Sequence, residues 1–225
     1  MNRLIDKIFL LVFCAAFSSV IQAQTHWSFE LQFGVVHSLD LPLTFHQKGF
    51  SDIKIHKADF YSEPLMDPPY WDWRFTKWFK NKSIEFEAIH HKFYLINLPA
   101  EVQRFGVSHG YNMMMFNHGR RFGKYILRAG AGSALVHGES TVRGMVYREG
   151  SGFDIYGYRL RGVVIHLAAA RQIRMSKTFF MNTELKVNAA AANIPIVNGH
   201  ARMNVVVFQF ILGPGFNWAV RNEEL

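Results

Sequence analysis

The sequence predicts an all-β fold: a transmembrane, antiparallel, up-and-down β-barrel of eight strands, preceded by a cleaved signal peptide. Three observations predict it. Segments of about ten residues alternate apolar and polar side chains through most of the 225 residues. Aromatic side chains recur near both ends of those segments, as two interfacial girdles require. No stretch after the leader is long and apolar enough to form a membrane helix, so a membrane form of this chain has to use strands.

The leader comes first. Arg3 and Lys7 precede an apolar run from Ile8 to Phe17, and Ala23 supplies a small residue for cleavage. Residues 1–23 are therefore expected to be removed, leaving 24–225 as the barrel. Ser18, Ser19 and Gln22 interrupt the run before it could span a bilayer. The single cysteine, Cys14, leaves with the leader, which excludes disulfides, thiolate metal sites and thiol nucleophiles from the mature chain. The formal net charge of +8 comes from basic residues scattered singly, without a nucleic-acid recognition motif. Nucleic acid is not an expected partner.

Eight strands follow in order. The first, 27–36, sets Trp27, Phe29, Leu31, Phe33 and Val35 against Ser28, Glu30, Gln32 and Gly34. The second, 70–79, opposes Trp71, Trp73 and Phe75 to Asp72, Arg74 and Thr76. The third, 84–95, opposes Ile84, Phe86 and Ala88 to Glu85 and Glu87. The fourth, 102–115, puts Phe105, Val107, Tyr111 and Met113 outward, with Arg104, Gly106, Ser108 and Asn112 inward. The fifth, 122–136, alternates Tyr125, Leu127 and Leu135 with Lys124, Arg128, Gly130 and Gly132. In the sixth, 155–171, Val163, Ile165 and Leu167 oppose Gly162 and His166. In the seventh, 179–191, Met181, Leu185 and Val187 oppose Asn182, Glu184 and Lys186. The eighth, 203–218, turns Val206, Phe208, Phe210 and Leu212 outward and Gln209 inward.

Tight turns are expected at 80–82, 117–120 and near Met175-Ser176. Longer segments at 38–69, 97–101, 138–153 and 193–202 fall at the other end, where an even-stranded barrel presents its surface loops.

The interior is expected to sort by depth. Glu30, Arg74, Glu85, Glu87, Lys124, Arg128, His166, Glu184 and Lys186 form a charge network toward the periplasmic end, since buried charges need partners. Higher up, Gly34, Gly106, Ser108, Gly110, Gly130, Gly132, Ala134 and Gly162 thin one level. That level is either a cavity for a slender apolar ligand or a set of strand bends filled by neighbours. At the outer rim, His90, Lys92, Arg159 and Arg161 are expected to face lipid head groups such as those of lipopolysaccharide, or simply to snorkel. No metal or cofactor is expected.

In architecture the whole mature chain resembles the small eight-stranded outer-membrane proteins of the OmpA-transmembrane and OmpX kind. That resemblance implies an outer-membrane monomer, neighbouring lipopolysaccharide, and assembly by the barrel-insertion machinery. Gly213-Pro214-Gly215-Phe216-Asn217-Trp218 resembles the terminal-strand signal which that machinery reads. The outer cavity is similar to that of lipid A palmitoyltransferase, a resemblance that implies a surface His with an Asp-Ser pair. The positions available are His37 and, in reversed order, Ser51-Asp52. Lipid A deacylases use a His-x-Ser pair, whereas His137-Gly138-Glu139-Ser140 puts the two side chains on opposite faces of a strand. Two functions are therefore carried forward. One is a non-pore barrel acting through its surface loops; the other is an acyl-transferring or acyl-hydrolysing enzyme of lipid A.

Overall fold

A computed structural model describes residues 25–64, 69–148 and 159–218. The chain forms one antiparallel sheet of thirteen strands: β1 (Thr25–Ser38), β2 (Leu41–Gln47), β3 (Ile53–Ala58), β4 (Phe60–Tyr61), β5 (Trp71–Phe79), β6 (Lys82–Leu95), β7 (Val102–Phe122), β8 (Tyr125–Val136), β9 (Glu139–Val142), β10 (Met145–Arg148), β11 (Arg159–Arg174), β12 (Phe179–Ile196) and β13 (Gly199–Trp218). Eight of them, β1, β5, β6, β7, β8, β11, β12 and β13, close into a ring, because β13 pairs back onto β1. Closure leaves the ring no free edge, so its backbone amides find partners without water.

The register is staggered around the ring. Following cross-strand partners from Glu30 leads through Arg74, Glu87, Met115, Gly132, Val164 and Ala190 to Val205. Glu30 itself pairs with Gly215 on the same strand, ten residues away. Such a stagger tilts the strands by about 40° and leaves an interior just wide enough for side chains.

Polarity is inverted relative to a soluble barrel. Val35, Phe116, Leu127, Ile165, Leu185, Phe208 and Leu212 point out and are 48–69% exposed, while Glu30, Arg74 and Glu87 are 0% exposed inside. On β13 the outward apolar run extends from Val206 to Trp218. At about 3.3 Å per residue and a tilt of about 40°, it covers roughly 30 Å of depth, the thickness of a hydrocarbon core. Aromatic contacts at the short-turn end include Phe216 with Trp218 (6.0 Å) and Phe75 with Trp218 (6.5 Å).

Several expectations are corrected. Residues 117–120 are not a turn: β7 and β8 stay paired to Phe122 and Tyr125, and the chain reverses at Gly123-Lys124. Gly123 adopts φ 58, the left-handed conformation that glycine tolerates. The turn-like residues Asn117 and Gly119 instead face the bore, where Asn117 donates to Glu87 and Gly119 makes room for Ser83 and Glu85. Lys124 is exposed in the turn, outside the lumen network.

The facing of β7 is also the reverse of that expected. Phe105, Val107, Tyr111 and Met113 are 0–2% exposed and point inward, while Met114 and Phe116 face out. The "loop" at 193–202 is continuous strand interrupted only by the turn Val197-Asn198. The segment 38–69 carries the hairpin β2–β3, which pairs onto the far end of β13, and β4, which pairs with β6. The segment 138–153 carries the hairpin β9–β10, which pairs onto β7. Residues 1–23 and 155–158 lie outside the described residues, and with them the leader and the start of the expected sixth strand.

These hairpins prolong the wall beyond the ring, and their inward faces join an apolar core. Leu43 and Phe45 of β2 pack with Phe105, Val107, Tyr111 and Met113 of β7, and with Ile194, Ala201, Met203 and Val205. Phe45 meets Phe105 edge-on at 5.0 Å. The bore therefore holds charge at the short-turn end and hydrocarbon at the other.

Outward and inward positions should respond oppositely to charge. Leu185→Arg is expected to lower stability by about 2–4 kcal/mol when unfolding by denaturant is followed in bilayers. Arg171→Leu, near the short-turn rim, is expected to change it by less than about 1 kcal/mol.

Candidate functional site

Alternation puts one carboxylate or cation from each of several strands at the same depth of the bore. Glu30, Arg74 and Glu87 are direct cross-strand neighbours on β1, β5 and β6. The Arg74 guanidinium donates to Glu30 at 2.9 Å, to Glu87 at 2.8 Å, and to both oxygens of Glu184 at 2.7 and 3.0 Å. Across the bore, Arg128 donates to Glu85 at 2.9 Å and to Glu184 at 2.8 Å. Lys186 bonds Asp72 and Glu87 and lies 3.2 Å from Glu184. His166 completes this layer, with Nδ1 2.7 Å from Asn188 Oδ1 and Nε2 3.6 Å from Glu87.

Eight of the nine sequence-predicted network residues thus meet in one cluster, Lys124 being the exception. The forked guanidinium suits this role because it satisfies several carboxylates in one plane. Asp72 joins unforeseen, although the alternation of β5 had placed it on the same face as Arg74. Asn117 was hidden by its resemblance to a turn residue. Tyr70 closes the layer from above, its hydroxyl donating to Gln209 at 3.2 Å.

The cluster's chemistry is occlusion. Its side chains are at most 4% exposed, so charge fills the section through which solute would pass. Glu87, His166 and Glu184 bring possible ligand atoms within 4.8 Å of one another. Lys186, Arg74 and Arg128 already sit on these carboxylates, so the geometry is that of an ion-paired plug.

The level thinned by glycine is not hollow. A Cβ at Gly34 would lie 2.1 Å from the carbonyl oxygen of Phe210; at Gly132, 1.9 Å from that of Met114; at Gly162, 2.7 Å from that of Ala191. At Gly130 it would lie 1.8 Å from Asn117 Oδ1, and Ala134 is fully buried in the apolar core. Gly106 packs beside Tyr94 on the other face of β7, and Gly110 adopts φ 129 next to Asn112 and His90. The side chain of Ser108 lies outside the described residues. Neighbours close this level because Met113, Met115, Val205, Val207 and Ile211 reach into it.

The expected rim is likewise redrawn. His90 and Lys92 have outward parity but are only 4% and 3% exposed. Trp71 stacks on His90 at 5.3 Å, His90 bonds Asn112 at 2.8 Å, and Lys92 pairs with Glu63 at 3.6 Å. Arg161 is exposed, and the side chain of Arg159 lies outside the described residues. The enzymatic candidates do not converge. His37 faces out beside Phe208, whereas Ser51 and Asp52 lie at the hairpin beyond Gly199, with Asp52 bound to His46 at 2.9 Å.

No protein family is matched by the sequence, and no curated protein is significantly similar to it. Among solved structures, the chain is similar to Ail, the attachment invasion locus protein of Yersinia pestis, at 9% identity and TM-score 0.40 over 88% of this chain and 100% of that one. It is similar to Neisserial surface protein A at 8% identity and TM-score 0.39, over 86% and 97% of the two chains. Escherichia coli outer membrane protein W aligns at 12% identity and TM-score 0.43, over 88% and 100%.

Truncating one partner of the plug strands the others. Arg74→Met is expected to cost about 3–5 kcal/mol, because it leaves Glu30, Glu87 and Glu184 buried without their shared cation. Denaturant unfolding in detergent, with heat-modifiable gel mobility as the check on folding, measures it. The architecture itself follows from the chain's own hydrogen-bonded ring and the polarity of its two faces.

Proposed function

We propose that the protein is a monomeric, non-conducting outer-membrane β-barrel that works through the surface its long connections build, in contact with lipopolysaccharide-type lipid. The observation that carries this reading is the pairing of a plugged bore with an elaborated, clipped platform at one end only. Arg143, at the turn of β9–β10, donates to Gln47 Oε1 at 3.0 Å and to the Ser51 carbonyl at 2.9 Å. Its guanidinium also covers Phe50 at 4.7 Å. Two hairpins of separate origin are thereby held as one unit, with Phe50 half exposed at its surface.

Such a platform suits recognition because its backbone is ordered before a partner arrives, which lowers the entropic cost of binding. The short turns at the opposite end, Lys80-Asn81 and Gly123-Lys124, offer no comparable surface. Insertion would use the barrel assembly machinery through the last strand, which ends in Phe216 and Trp218.

Orientation and closure are tested together. The one cysteine, Cys14, lies in the expected leader and the barrel itself has none, so Lys48→Cys on the β2–β3 hairpin and Lys177→Cys in a short turn each provide a single label site in the barrel. In intact cells an impermeant maleimide should label Lys48→Cys and spare Lys177→Cys. In planar bilayers the purified protein should give no stable conductance steps. Labelling of the opposite site, or a steady channel, would overturn the reading.

A further inference from the structure

Above the apolar band, the outer wall carries a row of cations fixed by strand register. Gly162 pairs with Ala192, which sets Arg161 of β11 beside Asn193 of β12. Asn193 pairs with Arg202 of β13, Arg202 with Thr44 of β2, and Thr44 with Lys54 of β3. With strands about 4.8 Å apart, Arg161, Arg202 and Lys54 follow one another at about 10 Å intervals. All three are exposed, and no carboxylate among the described residues pairs with them. The nearest acid on the hairpin, Asp52, is engaged by His46. A shallow recess of about 340 Å³ opens between Arg202, Asn193, Asn204, His200 and His46.

The second observation lies below. Leu127, Ala169, Leu185, Phe210 and Val35 form one outward row across five strands, and the small Ala169, between Leu127 and Leu185, floors an apolar groove of about 690 Å³. The groove's upper end is at Phe208, six residues below Arg202 on β13. That is about 20 Å along the strand, or about 15 Å of depth at a tilt of about 40°. The apolar band begins between them, at Val206, so Arg202 stands about 10 Å above its edge and the groove opens about 5 Å below it. Exposed cations at the head-group level and an apolar groove in the adjoining half of the hydrocarbon, on the same strands, have the shape of a single lipid.

We propose that this wall binds a phosphorylated, acylated lipid of the surrounding leaflet, its phosphoryl groups on Arg161, Arg202 and Lys54 and a chain lying over Ala169. The inference rests on the membrane reading above and gives it a partner. Guanidinium and ammonium donors with an asparagine between them match phosphate oxygens in both charge and hydrogen bonding.

The test uses the folded barrel in nanodiscs of neutral phosphatidylcholine and native mass spectrometry. The probes are bisphosphoryl lipid A, its dephosphorylated form, and inorganic phosphate. The bisphosphorylated lipid should be retained at least tenfold more strongly than the dephosphorylated one. Combined Arg161→Gln, Arg202→Gln and Lys54→Gln should erase that preference. Their unfolding midpoint should stay unchanged, since none of the three has an ionic partner among the described residues. Arg120→Gln with Arg171→Gln, at the opposite rim, should leave the preference intact. Equal retention of both lipids, or a triple variant that still discriminates, overturns the inference while leaving the barrel standing. Displacement of the lipid by millimolar inorganic phosphate would make this a soluble-anion site and overturn it too. A chain that never inserts into the discs sinks this inference and the membrane reading together.

Discussion

The structure depends first on one constraint: a strand in hydrocarbon has no water to satisfy its amides, so the sheet must close on itself. Here closure is made by β1 against β13, a pairing that runs from Trp27 with Trp218 to Ser38 with Val207. Everything inside follows from the stagger that this closure imposes. It places Glu30, Arg74 and Glu87 in one register row and brings Arg128, Glu184 and Lys186 across the bore to meet them. A different stagger would keep the same alternation of faces and scatter the charges.

Inside the ring two kinds of packing divide the labour. Near the short turns, ion pairs fill the bore, each cation shared among several carboxylates so that no single charge is stranded. Toward the long connections the interior becomes a hydrocarbon core, which would lie open were the ring alone present. The hairpins β2–β3 and β9–β10 complete it by adding Leu43, Phe45 and Val142. This explains why the long segments are strands. They finish a core whose lower half belongs to the membrane barrel, and in doing so they extend its wall beyond the ring.

Alternation made most of the ring legible in the sequence, because period-two polarity is a direct imprint of two media. β1, β5, β8, β12 and β13 face as their patterns indicate. β7 does not, and the reason is physical: its upper half has apolar residues on the inward face, so oil on the outside and oil on the inside leave the same signature. The lower half of β7 misled for another reason. Asn117 and Gly119 are turn formers by propensity, yet they serve the bore, one as a hydrogen-bond donor and the other as clearance for Glu85. The glycine level was ambiguous for a similar cause, since an absent side chain reports equally a void and a close neighbour. The outer cation row was invisible until register was known. Arg161, Arg202, Thr44 and Lys54 are far apart in the chain, and only the pairing of β13 with β2 makes them neighbours.

The central claim is that odd and even residues of one strand meet lipid and packed bore respectively, and β12 is the strand on which to measure it. Nitroxide labels placed singly at Thr183, Leu185, Val187 and Ala189, and at Asn182 and Asn188, can be compared in bilayers by collision with molecular oxygen and spectral mobility. The first set should show high oxygen collision rates and mobile spectra, the second low rates and immobilised spectra. Equal behaviour along the strand, or the opposite phase, would contradict the inverted barrel.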